Sequence, residues 1–403
     1  MDDFSDLIEP FSRRGVDLGL DRLQAALADL GHPERRFAAV QVAGTNGKGS
    51  ICTLLHQALL AAGIRTGLYT SPHLVSWTER IRLGAHPISP AALRTHLEAA
   101  SAAARRHHLT PFELVTAAAF LAFAAAGLEL VVLEVGLGGR LDATTCHPGR
   151  RVIGFASIGL DHAEFLGPDV ASITREKAGV LEEGAVAISG AQVPAARAVL
   201  EEEARRRGAR LTWVDPLDPR QWDLGLPGAV QTSNGAVALG VLQALADQGW
   251  VIPQAAIRRG FAAARWPGRL QQVQWRGLPL LLDGAHNPPA AAALRAELDS
   301  NGRRHGLPPG PRRWVLGMLA SKEGPQIVGS LLAPGDQAWI VPVPGHPSWS
   351  HRQLQQALED DLARRLHPAE SLEQALRAAA PGPVPVAGSL YLIGHLLAAI
   401  AAE

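Results

Sequence analysis

Two rhythms of apolar and polar positions run along this chain. Short runs rich in Val, Leu and Ile recur at RFAAVQVAG (36–44), RTGLYT (65–70), LELVVLEV (128–135), RVIGFASI (151–158) and GAVAIS (184–189). Longer Ala/Leu/Arg/Glu stretches of helical period lie between them. That alternation predicts βαβ units and a largely parallel sheet. The charge-free stretch Leu114–Leu128 is alanine-rich and predicts a buried helix. It falls short of the ~20 residues that span a bilayer. From about Leu278 the pattern restarts with LPLLLDG, RRWVLGML, QAWIVPVP and PVPVAGS, and a final helix follows. Trp266, Pro267 and Gly268 break the periodicity, which sets a boundary there between residues 1–268 and 269–403. NGRRHGLPPGPRR (301–313) reads as a surface loop.

Length and composition support two domains. The chain has 403 residues, 47% of them hydrophobic, enough to fill two cores. Its 38 basic and 38 acidic residues cancel, which removes any electrostatic case for nucleic acid or an anionic membrane as partner. Cys52 and Cys146 lie far apart in no metal-type spacing, so neither a zinc site nor a disulfide framework is expected. The opening MDDFSDLIEP is acidic and lacks an apolar core, so it does not read as a signal peptide. The expectation is a soluble, cytoplasmic monomer.

Three segments carry candidate chemistry. VQVAGTNGKGSICTLLHQALLAAG is a strand, a glycine-rich turn and a helix. Gly44, Gly47 and Gly49 let backbone approach a phosphate without a Cβ in the way. Amides at the helix start then face the anion, in the stretch Thr45, Asn46, Lys48 and Ser50. Lys48 brings a positive charge to the outer phosphates, and Ser50 a hydroxyl. The pattern G-x-x-x-x-G-K-[ST] is not met, because position 42 is Val and Gly49 separates Lys48 from Ser50. The loop is thus a variant, read from its strand–loop–helix setting. The second segment, LELVVLEVGLGGRLDATT, ends a buried strand in Glu134. A carboxylate there is costly unless it meets a cation, and beside a phosphate loop magnesium suits it. In the third, SIGLDHAEFLGPDVASITREKAGV, His162 follows a strand and Lys177 lies on the next helix. Read without context, Lys177 is a surface lysine paired with Glu176 or Glu164. Ser71 sits after the second strand, where loop hydroxyls reach ligands.

These segments resemble one family. AGTNGKGS is similar to the ATP loop of Mur-type amide ligases, and its GKGS form to that of folylpolyglutamate synthases. SPH (71–73), ERI (79–81), TPFELVT (110–116), EVGLGGRLDAT, LDH…EKAG, WPGRLQ (266–271), DGAHNP (283–288) and GSLY (388–391) match in order along nearly the whole chain. The resemblance implies a P-loop Mur-ligase-like ATPase domain with a parallel sheet, followed by a smaller Rossmann-like α/β domain. It implies ATP-dependent, magnesium-requiring ligation of L-glutamate to dihydropteroate or folates through an acyl phosphate.

The resemblance also implies residue roles. Glu134 would be shared by two magnesium ions, with Ser71 on the first and His162 and a carbamylated Lys177 on the second. Asn234, Arg269 and Asp283 would hold the nucleotide, and Asp283 and His286 would act in catalysis with Lys48. Phe112, Arg80, Asp142 and Ser389 would meet substrate. Departures exist: Thr145 stands where the family has Asn, Val230 where it has His, and Gly235 where it has Ala. Lys322 resembles a family lysine without an assigned role. A cell-wall precursor ligase is the nearest rival, and TPFELVT argues against it. A non-catalytic nucleotide-binding module is a second rival, and the full set of metal ligands argues against that.

Overall fold

The computed structural model describes residues 4–403, without the side chains of residues 13 and 14. The first three residues of the acidic opening segment lie outside the described ones. The chain divides into two compact units. The first comprises residues 1–159, 163–226 and 231–265; the second comprises 160–162, 227–230 and 266–403.

The first unit is built on an eight-stranded sheet. In chain order its strands are β1 (Ala38–Ala43), β2 (Thr66–Tyr69), β3 (Ile81–Leu83), β4 (His86–Pro87), β5 (Leu130–Glu134), β6 (Val152–Phe155), β7 (Val186–Ser189) and β8 (Arg210–Trp213). Their spatial order is β4-β3-β2-β5-β1-β6-β7-β8, and all pairs are parallel except β2–β3 and β3–β4. Continuous apolar runs are what a sheet covered on both faces requires, and β1, β2 and β5 are almost wholly buried. Register brings strand ends level: Val42 pairs with Glu134 and with Gly154, and Tyr69 pairs with Leu133. The turns after β1, β2, β5 and β6 therefore leave one carboxyl edge.

Helix Pro111–Ala125 fills one layer, with Phe120 and Phe123 fully buried against Phe37. It corresponds to the alanine-rich stretch read as a buried helix. No helix among the described residues is long and apolar enough to cross a membrane. Helix Lys48–Ala61 packs tightly on helix Gln254–Ala263, where a Cβ on Gly260 would come within 2.4 Å of the Ala58 backbone nitrogen. That close approach fixes the helix that follows the glycine-rich turn.

The second unit has a six-stranded sheet: β9 (Gln271–Trp275), β10 (Leu278–Leu282), β11 (Arg313–Leu316), β12 (Gln337–Ile340), β13 (Leu366–Pro368) and β14 (Val384–Ala387). The order is β13-β12-β11-β14-β10-β9, parallel except for the β9–β10 hairpin. Trp314 is fully buried in its core. Residues 301–313, read as a surface loop, are partly built into this unit. His305 bonds Glu297 Oε1 at 2.8 Å, Leu307 is 2% exposed, and Arg312 binds the Leu298 carbonyl and Asp299. Helix Pro288–Asn301 supplies those anchors, which a local polarity reading does not register.

Candidate active site

The glycine-rich turn leaves β1 at Gly44 (φ 141°) and enters helix Lys48–Ala61 at Gly47 (φ 97°). A Cβ on Gly47 would lie 2.4 Å from Asn234 Oδ1, so glycine is required by both dihedral and space. The amides of Thr45 and Asn46 donate to the Ser157 carbonyl at 2.8 and 3.1 Å. Thr45 Oγ1 donates to the Gly159 carbonyl and accepts from the Gly159 amide, both at 3.1 Å. Two lysines fix the loop carbonyls: Lys177 Nζ donates to Gly44 O at 2.9 Å and Lys48 Nζ to Thr45 O at 3.1 Å. No side chain caps the helix start. Its first-turn amides are left to solvent or a ligand, and the helix dipole favours an anion there.

Glu134 ends β5 and is 5% exposed. The Ser71 amide points at its Oε2 from 3.4 Å, so the two residues read as metal ligands adjoin. The loop after Glu134 is organised by Asp142. Its Oδ2 accepts from the amides of Gly136 and Leu137, and its Oδ1 from the Thr144 amide and hydroxyl. Burial pushes its carboxyl up against the pull of these bonds. Asp142 thus shapes the loop with both oxygens.

The same loop locks helix Val170–Ala178. A Cβ on Gly139 would lie 2.7 Å from the Lys177 carbonyl, and one on Gly179 would lie 2.2 Å from Arg140 Cβ. Arg140 pairs with Glu176 at 3.0 Å. Lys177 is 5% exposed, so it is no surface lysine, and Glu176 is engaged by Arg140. Beneath lies a polar layer that sequence reading passed over. Gln41 donates to Thr144 and Thr145 and accepts from Arg150 at 2.7 Å, and Arg150 pairs with Glu182 at 2.9 Å. A glutamine in a buried strand and an arginine before one were its only signals.

Residues 70–81 form a second wall. Arg80 is 9% exposed, donates from Nε to His73 Nδ1 at 2.9 Å, and lies 4.3 Å from the Trp77 ring centre. Burial, with Arg80 beside it, pushes His73 down to about 3. Phe112, in the first turn of helix Pro111–Ala125, is partly exposed and its ring lies 6.1 Å from that of Tyr69. A Cβ on Gly136 would touch the Phe112 ring at 2.6 Å, so the glycine loop and the aromatic face are built together. Asn234 lies in helix Val230–Asp247, donates to Gln231 Oε1 at 2.9 Å, and abuts Gly47.

In the second unit Asp283 follows β10. It accepts from the Leu270 amide at 3.0 Å and the Ala285 amide at 2.9 Å. Burial pushes its carboxyl up, and Arg269 opposes that. A Cβ on Gly284 would meet Arg269 Nη1 at 2.3 Å, which places this arginine over the loop. His286 donates from Nδ1 to the Gly284 carbonyl at 2.8 Å, leaving Nε2 as acceptor, and burial pushes it down to about 4. Ser389 caps helix Leu390–Ala401, its hydroxyl accepting from the Tyr391 amide.

Asp161 is the residue sequence reading missed here. It is 5% exposed and gathers partners from two distant segments. Asn287 Nδ2 donates to its Oδ2 at 2.9 Å, Lys322 pairs with its Oδ1, and His286 Nε2 lies 3.8 Å away. Burial alone would raise its carboxyl, but His162, Lys322 and His286 together hold it well below the usual carboxylate range. His162 itself has a left-handed backbone (φ 53°) and its Nε2 lies 3.2 Å from Lys322 Nζ. The tripeptide Leu-Asp-His after an apolar strand was the signal available.

No group of three or more His, Cys, Asp or Glu residues gathers as a metal cage among the described residues. The donors present are a carboxylate and a hydroxyl residue, Glu134 and Ser71, adjoining at a strand edge level with the glycine-rich turn. That set fits magnesium, which keeps several waters and takes one or two carboxylates plus substrate phosphates.

The chain is similar to known proteins along most of its length. Residues 268–399 match the family model of the dihydrofolate synthetase C-terminal domain. Dihydrofolate synthase/folylpolyglutamate synthase of Escherichia coli K12 is 35% identical, over 98% of this chain and 94% of that protein. The structure of E. coli FolC in complex with DHPP and ADP superposes with a TM-score of 0.86 at 34% identity, covering 99% of this chain and 97% of that one. A bifunctional folylpolyglutamate synthase/dihydrofolate synthase solved with Mn, AMPPNP and L-glutamate bound gives 0.84 at 32% identity, covering 97% and 96%. With its two α/β units and its uncapped glycine-rich turn, this chain belongs to the dihydrofolate synthase/folylpolyglutamate synthase family, ligases that form C–N bonds on a Mur-ligase-like fold.

Proposed function

We propose that this protein, as an ATP-dependent ligase, joins L-glutamate to dihydropteroate or a reduced folate, and that residues 44–50 hold the ATP phosphates. The observation that carries this reading is the uncapped helix start at Gly47, with Lys48 and Lys177 gripping the two loop carbonyls beside it. Lys48 exchanges its intramolecular bond for the outer phosphates. Asn234, Arg269 and Asp283 complete the nucleotide's contacts. Residues 1–268 serve as the ATP-binding part and 269–403 as the part that receives glutamate.

Glu134 and Ser71 hold a magnesium ion, with His162 and Lys177 as ligands of a second. Bound there, magnesium neutralises charge on the phosphates. Lys177 supports this role only as a carbamate, because an ammonium is no ligand. Phe112 lies along a flat pterin ring, Arg80 and the Asp142-ordered loop border it, and Ser389 lies near glutamate.

The substrate carboxylate oxygen attacks the γ-phosphorus, the bond to the β-bridging oxygen breaks, and ADP leaves. The glutamate amine then attacks the acyl carbon, inorganic phosphate departs, and the amine's proton passes to a base, for which His286 Nε2 is the acceptor at hand. Positioning and preorganised charge from Lys48 and Arg269 supply most of the acceleration. The protein acts as a cytoplasmic monomer.

ADP release measured with each of dihydropteroate, tetrahydrofolate and a cell-wall nucleotide peptide tests this. Release requiring both a pterin acid and L-glutamate is the expected outcome. Turnover with the cell-wall precursor and none with either pterin acid defeats the proposal.

A further inference from the structure

We infer that Asp161 is a positioning residue for the amide-forming step, its carboxylate facing His286 Nε2 and pairing with the imidazolium that forms there. This rests on the proposed reading of His286 Nε2 as the acceptor of the amine's proton. Donation from Nδ1 to the Gly284 carbonyl at 2.8 Å seats the ring and leaves Nε2 a lone pair in the resting enzyme. Asp161 Oδ2 lies 3.8 Å from that nitrogen. Both atoms are then acceptors, so the carboxylate does not consume the lone pair. In the reaction the C–N bond forms, the bond from the acyl carbon to the phosphate oxygen breaks, and the amine's proton moves to Nε2; Asp161 gains none. With that proton in place the same two groups are cation and anion. Their attraction is gained only along the way to products, and such an interaction speeds the step.

Asp161 is fixed for this task by residues of the second unit, to which it also belongs. Asn287 Nδ2 donates to its Oδ2, and Asn287 Oδ1 accepts from the Ala290 amide at 3.0 Å, capping helix Pro288–Asn301. Fully buried and bonded at both ends, the Asn287 amide has one orientation, and it follows His286 directly in the chain. Lys322 pairs with Oδ1, and its backbone is pinned where Trp349 Nε1 donates to the Lys322 carbonyl at 2.8 Å. The ammonium thus sits on one carboxylate oxygen while the other faces the imidazole. Burial keeps the ring neutral at rest. Among the nearby charges Asp161 acts on it most strongly, toward protonation, and Lys322 and Arg269 oppose it.

The test follows single turnovers of the full-length chain by rapid quench, with ATP, Mg²⁺ and L-glutamate, first with dihydropteroate and then with tetrahydrofolate, and measures ADP and the new amide separately. His286→Ala is expected to form ADP at the unmodified enzyme's rate while the amide follows about a hundredfold more slowly, the usual worth of a general base. If its ADP and amide still appear together, the reading of His286 as base fails and the inference fails with it. Asp161→Asn keeps the shape and an oxygen for Asn287 and loses only the charge. It is expected to form ADP at the unmodified rate with the amide lagging about tenfold, less than for loss of the base itself. Because this variant leaves the Lys322 ammonium buried without its counter-charge, Asp161→Asn/Lys322→Met is run beside it, with the same lag expected, and decides the matter if the single variant does not fold. If His286→Ala lags but the Asp161 variants do not, or if they slow ADP and amide alike, Asp161 has no part in the amide step and the reading of His286 stands.

Discussion

Two lysines that look alike in sequence hold neighbouring carbonyls of one loop from different depths. Lys48 is partly exposed and bonds only its own loop, at Thr45 O, whereas Lys177 is buried against Gly44 O. Lys48→Ala should leave the thermal midpoint nearly unchanged while turnover drops about 10²–10³-fold, the usual cost of one donor to developing charge. Steady-state ADP release beside a melting curve checks both halves. For Lys177, a carbamate predicts that Lys177→Arg is as inactive as Lys177→Ala, since conserving positive charge does not help. Lys177→Ala should recover activity with added formate or acetate; a fully active Lys177→Arg enzyme would refute the carbamate. At this scale the motif positions Lys48, Glu134, Asp283 and His286 were legible, because each sits where an apolar run breaks into glycine and charge. Asp161 was not. A lone aspartate after a strand carries no periodicity, and its meaning lies in Asn287 and Lys322, far away in sequence.

Elements follow the same division. The long, continuous apolar runs that became β1, β2, β5, β6, β7, β10, β11, β12 and β14 announce themselves because both faces are covered. The strands passed over are edge or near-edge pieces: β3 and β4 as a short hairpin, β8 with alternating exposure, β13, and β9, which turns through Arg276 and Gly277, both with positive φ, to pair with β10. Their alternating or charged residues are what an edge needs and what makes it look like a loop. Between these sheets and their helices several histidines are packed away from water. Burial, with Arg82 nearby, pushes His56 of helix Lys48–Ala61 down to about 3, and burial pushes His147 to about 4 against its bond to Phe37 O. In the unfolded chain they titrate near 6.5. Between those values the unfolded state binds protons that the folded state refuses, so stability rises with pH and is lost as pH falls below about 6.5. Melting curves from pH 7 to pH 4 should show a falling midpoint. His56→Gln should flatten the dependence, and an unchanged slope would count against burial of a neutral ring as its source.

For the molecule as a whole, residues 1–268 hold the glycine-rich turn, Glu134, Ser71 and Lys177, whereas Asp283, His286, Lys322 and Ser389 lie beyond them. A 1–268 fragment that retains its circular dichroism should bind ATP yet release no ADP in response to glutamate. Ligation at the full-length rate would place all of the chemistry in the first part. The fragment also illustrates a division that no linear reading shows. Residues 160–162 count with the second unit although the chain on either side of them counts with the first. A gene shuffle that exchanges everything after Trp266 between two relatives would thus transplant Asn287 and Lys322 while leaving their aspartate behind. Chimeras should tolerate that cut only when Asp161, Asn287 and Lys322 are drawn from compatible parents. Those three positions are therefore inherited as one character, though a ruler laid along the gene would call them strangers.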